Sequence, residues 1–252
     1  MDHKNLFNKK PLEEKDGVLY FSRPPENIRA SRDEDAQNRK TWSFWRRENY
    51  AFLEKELHGL SKDKVLIDIG AGQSDFRNLT NQFKLTAVDF YPYPGVSVVC
   101  DIGDKLPFAN AIADIVLITN VLEHVREPNV LLSECHRILK PGGIVIGTVP
   151  FMIQIHQRPY DFYRYTEMNL SYLFSKHQFK NAVIEPVSSL YVLLFNTTTS
   201  FFAGVIKTAK FKIFWRLIWK IKRIFFRLLK KLFENRFKDK DNPLGYLFKA
   251  TK

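Results

Sequence analysis

The stretch that decides the fold is VLIDIGAG, residues 65–72. Its first five residues, Val65–Ile69, are mostly apolar and predict a buried strand, and Gly70 and Gly72 predict a tight turn before a helix. Such a turn lets a ligand approach the backbone closely at the carboxyl end of a strand. The same alternation of short apolar strands and helical stretches continues along the chain.

The remaining strands are predicted from short apolar runs bounded by turn residues. They are residues 85–89, 96–100, 114–118, 144–149, 182–184 and a last strand at 245–250. Helices are predicted after the first strand and at residues 33–57, 128–139 and 166–177. This order is typical of an α/β fold with a doubly wound, mostly parallel, seven-stranded sheet and helices on both faces.

We expect three parts in the chain of 252 residues, 45% of which are hydrophobic. Residues 1–32 read as an irregular lead-in, residues 33–186 together with 243–252 as the α/β domain, and residues 187–242 as a helical insertion before the last strand. No apolar run follows the charges of residues 1–5, so no signal peptide is expected. Cys100 and Cys135 are expected in the core of a protein from a reducing compartment.

The net charge of +12 is concentrated in residues 207–238, which carry twelve basic residues and one acid and therefore +11. Apolar residues recur there at helical spacing, opposite most of the basic ones. They are Phe214, Leu217, Ile218, Ile221, Ile224, Phe225, Leu228 and Leu232. The pattern predicts an amphipathic helix.

This helix has the features of one that lies on an anionic membrane surface, which predicts a cytoplasmic protein peripheral at the inner membrane face. A helix packed on the domain or on a partner is an alternative. A helix that contacts nucleic acid is less favoured, because phosphates do not require an apolar stripe. Upstream, residues 186–206 are free of charge, but their Ser, Thr and Asn residues make them a poor spanning helix.

Four polar residues lie at the predicted strand ends: Asp68, Asp89, Asp101 and Asn120. Asp89 follows Asp68 at about the spacing at which a carboxylate reaches ribose hydroxyls. Asp75 occupies the position where a dinucleotide site requires glycine, which disfavours a pyrophosphate. The carboxylates favour a phosphate-free cofactor with a cationic centre, and the alternative is that they only cap turns.

The ordered motifs resemble those of class I S-adenosylmethionine-dependent methyltransferases, in particular type 11-like members associated with bacterial surface glycans. The resemblance covers about residues 63–150 and departs from the family at Ser74, where many members have a third glycine. It rests on VLIDIGAG (65–72), VD (88–89), DIGDKLPF (101–108), DIV (114–116), NVLEHV (120–125) and RILKPGG (137–143).

The resemblance implies S-adenosylmethionine as the cofactor and assigns residues to its methionine part. Gly70, Ala71 and Gly72 would approach this part, and Asp68 would hold its ammonium group. Asn120 would lie near the transferable methyl group.

On the nucleoside side, the resemblance implies that Asp89 accepts hydrogen bonds from both ribose hydroxyls. Asp101 would accept from the adenine amino group, with Ile102 against the ring. Methyl transfer then depends mainly on alignment, and a base is needed only when the acceptor is a hydroxyl.

The acceptor side is predicted from HQRPYDFYRYT, residues 156–166. His156 is the preferred base and His124 the second candidate, although in this superfamily the latter histidine is often structural. The predicted acceptor contacts or loop organisers are Tyr160, Asp161, Arg164 and Tyr165. A pair of Arg164 with Asp161 that only fixes the loop is equally open.

No metal is expected, because the six histidines show no ligand spacing. The sequence therefore predicts methyl transfer to a small-molecule, lipid or lipid-linked glycan acceptor at a membrane surface. The alternatives are an RNA methyltransferase that uses the basic helix on phosphates and a non-enzymatic membrane-associated scaffold.

Overall fold

The computed structural model describes residues 6–25, 42–73, 76–188, 190–208, 212–233 and 240–252. Its strands are β1 (Glu13–Lys15), β2 (Val18–Tyr20), β3 (Val65–Ile69), β4 (Lys84–Asp89), β5 (Val98–Val99), β6 (Ala113–Thr119), β7 (Leu139–Pro150), β8 (Lys180–Ser188) and β9 (Pro243–Thr251). Its helices are α1 (Phe44–Leu57), α2 (Arg77–Thr80), α3 (Pro128–Ile138), α4 (Glu167–Lys176), α5 (Leu190–Thr208) and α6 (Lys212–Phe233), with a 3-10 turn at Leu122–His124.

The sheet is doubly wound and mostly parallel in its centre, as the sequence predicts. The strand order is β1-β2-β5-β4-β3-β6-β7-β9-β8. The chain runs outward from β3 through β4 to β5 and then returns to place β6 on the other side of β3. The order reverses at β3, and in sheets of this kind ligands bind beyond the carboxyl ends of the strands at such a switch point.

The expectation of seven strands is wrong, because two short strands extend the edge beyond β5. β1 and β2 form a hairpin closed by Asp16 and Gly17, both with positive φ, and β2 pairs in parallel with β5. An Asp-Gly pair is the usual signal of such a two-residue turn. The segment read as an irregular lead-in therefore contributes to the sheet.

Helices cover both faces of the sheet. On one face, α1 packs against β3, β6, β7 and β9, and on the other face α3 and α4 cover the main core. α1 begins at Phe44, after Ser43, whose side chain accepts a hydrogen bond from the Arg46 backbone N–H. The first part of the predicted helix, residues 33–41, lies outside the described residues. Both cysteines are buried and unpaired, as expected.

The predicted insertion before the last strand contains the helices α5 and α6, which pack on each other. Lys222 of α6 is only 8% exposed, and its Nζ donates to the Phe195 carbonyl at 3.0 Å and to the Thr199 hydroxyl at 2.6 Å, both in α5. The apolar residues of α6 remain exposed, for example Leu217 at 57% and Phe225 at 55%. Among the described helices, none combines the length and apolarity needed to cross a bilayer.

Candidate functional site

A cleft of about 1350 Å³ opens at the carboxyl ends of β3, β4 and β6. It is larger than the roughly 300–1,000 Å³ typical of a site for one small molecule, so it has room for a cofactor and a second molecule. Most of the residues predicted from the sequence line it. They are Asp68, Gly70, Ala71, Gly72, Asp89, Asp101, Ile102, Asn120, His124, His156 and Tyr160.

The glycine turn after β3 wraps over the end of β4. The backbone N–H groups of Gly70 and Ala71 donate to the Val88 carbonyl at 2.8 and 3.0 Å. Gly70 has a φ of +71°, and a Cβ added there would lie 2.4 Å from a methyl carbon of Val121. Only glycine fits this position without a shift of the neighbouring side chain. Ser74 and Asp75, the two residues of this motif that stand where glycine was expected, lie outside the described residues.

Two carboxyl groups with raised pKa values lie beside this turn. Burial, with a further contribution from the charge of Asp89, raises the pKa of Asp68 to about 7, and burial raises the pKa of Asp89 to about 6. Asp89 accepts from the backbone N–H groups of Gly72 at 2.9 Å and Tyr91 at 3.1 Å. Each carboxylate has about four acceptor sites, so capacity remains for a ligand that brings an ammonium group or hydroxyls.

Asp101 and Ile102 form the rim of the cleft beyond β5. Asp101 is exposed, and its carboxylate accepts from the Gly103 backbone N–H at 2.8 Å, which fixes the turn in which it lies. Ile102 is largely buried beside it. An acceptor oxygen next to an apolar surface suits a flat heterocycle with an amino group.

Asn120 connects the end of β6 to helix α1. It has a left-handed φ of +54°, and its side-chain oxygen accepts from the indole N–H of Trp45 at 2.9 Å. Trp45 and Arg46 consequently line the cleft, together with Arg23 from the segment after β2. Helix α1 therefore both packs on the sheet and forms a wall of the cleft. Arg23 was missed, because the pairing of β2 with β5 joins distant parts of the chain.

The segment after β7 forms the wall of the cleft on the side predicted for the methyl acceptor, which we call the acceptor wall. Three residues of this segment that were predicted to contact the acceptor are not part of the cleft lining. Arg164 and Asp161 form a double hydrogen bond, with Nη2 to Oδ2 at 2.8 Å, and this arginine holds the pKa of Asp161 well below its usual range. Tyr165 is buried and donates to the Leu122 carbonyl at 3.0 Å. Of the two roles predicted for these residues, acceptor contact or loop organisation, their contacts agree with the second, because they hold the loop that carries His156 and Tyr160.

His124 and His156 face a glutamate that the sequence analysis did not single out. Glu123 is fully buried, and neither of its carboxylate oxygens has a hydrogen-bond partner. Its Oε1 lies 3.6 Å from Nε2 of His124 and 3.9 Å from Nε2 of His156. Burial raises the pKa of Glu123 to about 8 and lowers that of His124. The available signal was a charged residue inside the apolar run directly after β6.

This cluster bears on the prediction of no metal, which was based on the spacing of the six histidines along the sequence. One ligand atom from each of Glu123, His124 and His156 lies within 4.8 Å of the others. The spacing along the chain gave no sign of it, because the side chains come from two different loops.

Comparison with known proteins agrees with this geometry. Residues 67–147, which contain the glycine turn, Asp89, Asp101 and Asn120, match the family model described as "Methyltransferase domain". The matched region is a class I methyltransferase domain. Its cofactor is S-adenosylmethionine, and the carboxylates with open acceptor sites beside a glycine turn fit that ligand.

Relatives of this domain are uncharacterised methyltransferases from mycobacteria. One from Mycolicibacterium gilvum (strain PYR-GCK) is 31% identical over 99 residues, which is 34% of this chain and 39% of the relative. One from Mycobacterium tuberculosis (strain ATCC 25618 / H37Rv) is 37% identical over 79 residues, 31% of either chain. The match thus spans less than half the length of these relatives.

Solved structures of methyltransferases share the fold over most of the chain. A SAM-dependent methyltransferase from Archaeoglobus fulgidus has a TM-score of 0.50 at 17% identity and covers 82% of this chain and 94% of its own. Phosphoethanolamine N-methyltransferase 2 of Haemonchus contortus, in complex with S-adenosyl-L-methionine, has a TM-score of 0.51 at 17% identity, with 82% of this chain and 52% of its own covered. At such identities the similarity shows the class I fold.

Proposed function

We propose that the chain transfers the methyl group of S-adenosylmethionine to an acceptor that it meets at a membrane surface. The observation that carries the transfer is the pair of carboxylates, Asp68 and Asp89, beside the glycine turn at the switch point of the sheet. Asp68 suits the ammonium group of the cofactor and Asp89 the ribose hydroxyls. Asp101 and Ile102 suit the adenine ring.

The cofactor supplies an electrophilic methyl group on a sulfonium, and the residues of the cleft align the acceptor and exclude water. Alignment of the two reactants is the main contribution to such a displacement. His156 suits the role of base for a hydroxyl acceptor, because its side chain is 33% exposed on the cleft side and its Nδ1 lies 3.1 Å from the Gln154 carbonyl. With the proton on Nδ1, Nε2 is left to accept a proton from the acceptor.

The location is proposed from helix α6 and its surroundings. Exposed apolar residues, among them Leu217 and Phe225, lie on a helix in a segment that carries +11. A surface helix of this composition binds anionic bilayers through apolar burial and charge. Gln154, next to the acceptor wall, donates a side-chain hydrogen bond to Ser200 of α5. These features favour a lipid, a lipid-linked glycan or a small molecule met at the membrane.

The enzymatic part of the proposal is tested by calorimetric titration with S-adenosylmethionine. We expect binding by the intact protein and loss of binding in Asp89→Ala. Asp63→Asn, at the amino end of the same β3 unit and away from the cleft, is the matched control and should bind like the parent protein. Binding that survives Asp89→Ala unchanged would exclude this cleft as the cofactor site.

The location is tested by flotation with vesicles of phosphatidylcholine alone or with phosphatidylglycerol. We expect flotation with the anionic vesicles and its loss in Leu217→Ser/Ile221→Ser/Phe225→Ser. Val183→Ser, which removes an exposed aliphatic residue from β8, is the control. Unchanged flotation of the triple variant contradicts the membrane proposal. Binding to RNA that falls steeply with salt, without flotation, would favour the RNA alternative.

A further inference from the structure

We propose that Glu123, His124 and His156 form a binding site for a divalent transition metal, of the zinc type, at the acceptor end of the cleft. The binding site is inferred from the geometry and burial of these three side chains and does not depend on the proposed function. The catalytic role of the metal does rest on the proposed methyl transfer.

The three ligand atoms converge from two loops. Glu123 and His124 lie in the 3-10 turn after β6, and His156 lies in the loop after β7. Oε1 of the glutamate is 3.6 and 3.9 Å from the two Nε2 atoms. Tetrahedral zinc with bonds of about 2.0–2.2 Å holds its ligand atoms about 3.3 Å apart. The two glutamate–histidine distances therefore have to shorten by about 0.3 and 0.6 Å, and the two histidine nitrogens, which lie within 4.8 Å of each other, have to approach by up to about 1.5 Å.

Both histidines are oriented as metal ligands are. Nδ1 of His124 faces the Tyr160 carbonyl, and Nδ1 of His156 lies 3.1 Å from the Gln154 carbonyl. A carbonyl only accepts, so each Nδ1 carries the proton and each Nε2 presents a lone pair. Histidines that bind metals donate their other ring N–H to a backbone carbonyl or a carboxylate in this way.

Glu123 provides the second, independent observation. It is fully buried, and neither of its oxygens has a hydrogen-bond partner. A buried carboxyl group without a partner is costly. Nε2 of His124 is likewise buried without a hydrogen-bond partner, and a bound cation would give all three atoms the partner that they lack.

The donor set selects the class of metal. Imidazole nitrogens suit zinc, iron, cobalt or nickel, whereas magnesium and calcium prefer oxygen ligands alone. Two histidines and one glutamate with a free position are the ligands of catalytic zinc sites. His156 lines the cleft with a side chain that is 33% exposed, so we place the free position on its side, where an oxygen or nitrogen of the acceptor can reach it. The metal then polarises the acceptor hydroxyl, a task otherwise given to His156 as a base.

The test is titration of EDTA-treated protein without an affinity tag with Zn²⁺, together with the visible spectrum of the Co²⁺ form. We expect one equivalent of zinc and the absorption of a four- or five-coordinate cobalt site. Glu123→Gln and His156→Ala should each weaken zinc binding at least tenfold. His58→Ala, which removes an exposed histidine at the end of α1, should bind like the parent protein.

S-adenosylhomocysteine binding, measured on the same variants, separates this inference from the proposed function. Zinc binding that is absent, or equally tight in His156→Ala, overturns the metal site even where the cofactor binds. Zinc binding that depends on Glu123 and His156 supports the metal site even where no cofactor binds, and in that case the proposed function fails instead. Should Glu123→Gln not fold, the partly exposed His156 still provides the decisive variant.

Discussion

Binding of S-adenosylhomocysteine should strengthen as the pH rises from 5.5 to 7.5. Burial raises the pKa of Asp68 to about 7 and that of Asp89 to about 6, so both carboxyl groups are largely protonated at pH 5.5. An ammonium group and ribose hydroxyls bind to ionised carboxylates, so both carboxyl groups have to lose their protons before the ligand binds. The stability of the ligand-free protein should change with pH in the opposite direction. Because the folded pKa values are raised, stability falls as the pH rises from about 4 to about 7.

The magnitude follows from the two pKa values. Between pH 7.5 and 5.5, protonation weakens binding about 25-fold through Asp68 and about fourfold through Asp89, which gives about 100-fold in Kd. The pH range ends at 7.5 so that the amino group of the ligand keeps its proton throughout.

The assay is calorimetric titration at constant ionic strength. Asp68→Asn should bind more weakly at pH 7.5 and retain only about the fourfold dependence that Asp89 contributes. Asp63→Asn should keep the full dependence. A Kd that stays constant within about twofold over this range, or that rises with pH, would refute the assignment of the two carboxylates to cofactor binding.

Three further variants test other parts of the structure. Tyr165→Phe leaves the Leu122 carbonyl buried without its donor and should lower the free energy of unfolding in urea by about 1–3 kcal/mol, with cofactor affinity unchanged. Gly70→Ala should weaken S-adenosylhomocysteine binding at least tenfold in titrations, whereas Gly142→Ala, also at positive φ but with open space for a Cβ, should not. Lys222→Met removes the hydrogen bonds from Lys222 to Phe195 and Thr199 of α5, so amide hydrogen exchange in α6 should become faster. Amide exchange in the sheet should stay unchanged.

The central strands were predictable because their signals are local. β3 is found at the predicted residues, and β4 and β6 extend the predicted strands by one residue or two. β1 and β2 were missed, because strands of three residues have no measurable periodicity and their stability depends on pairing with β5, far along the chain. Their one local signal was the pair Asp16–Gly17.

The site was predictable where it depends on topology alone. The carboxyl ends of neighbouring parallel strands meet at one edge, so Asp68, Asp89 and Asn120 had to lie together once the strands were known. Tyr165 was misassigned because its burial depends on where α4 and the turn after β6 pack. The approach of Glu123 to His156 depends on two loops, and loop conformation is not encoded in a periodic pattern.

The position of the helical insertion follows from the same topology. β8 runs antiparallel to β9, which runs antiparallel to β7, and the pairs Pro150–Gly245 and Ser188–Pro243 put the ends of β7 and β8 at one edge of the sheet. That edge is the one at which the cleft opens. A segment inserted between β8 and β9 therefore has to leave the domain beside the acceptor wall, and the hydrogen bond from Gln154 to Ser200 joins the two. Lys222 holds α6 to α5, and we therefore propose that a membrane bound by the exposed apolar face of α6 would lie near the mouth of the cleft. An acceptor that resides in that surface would then reach the methyl group without crossing bulk water.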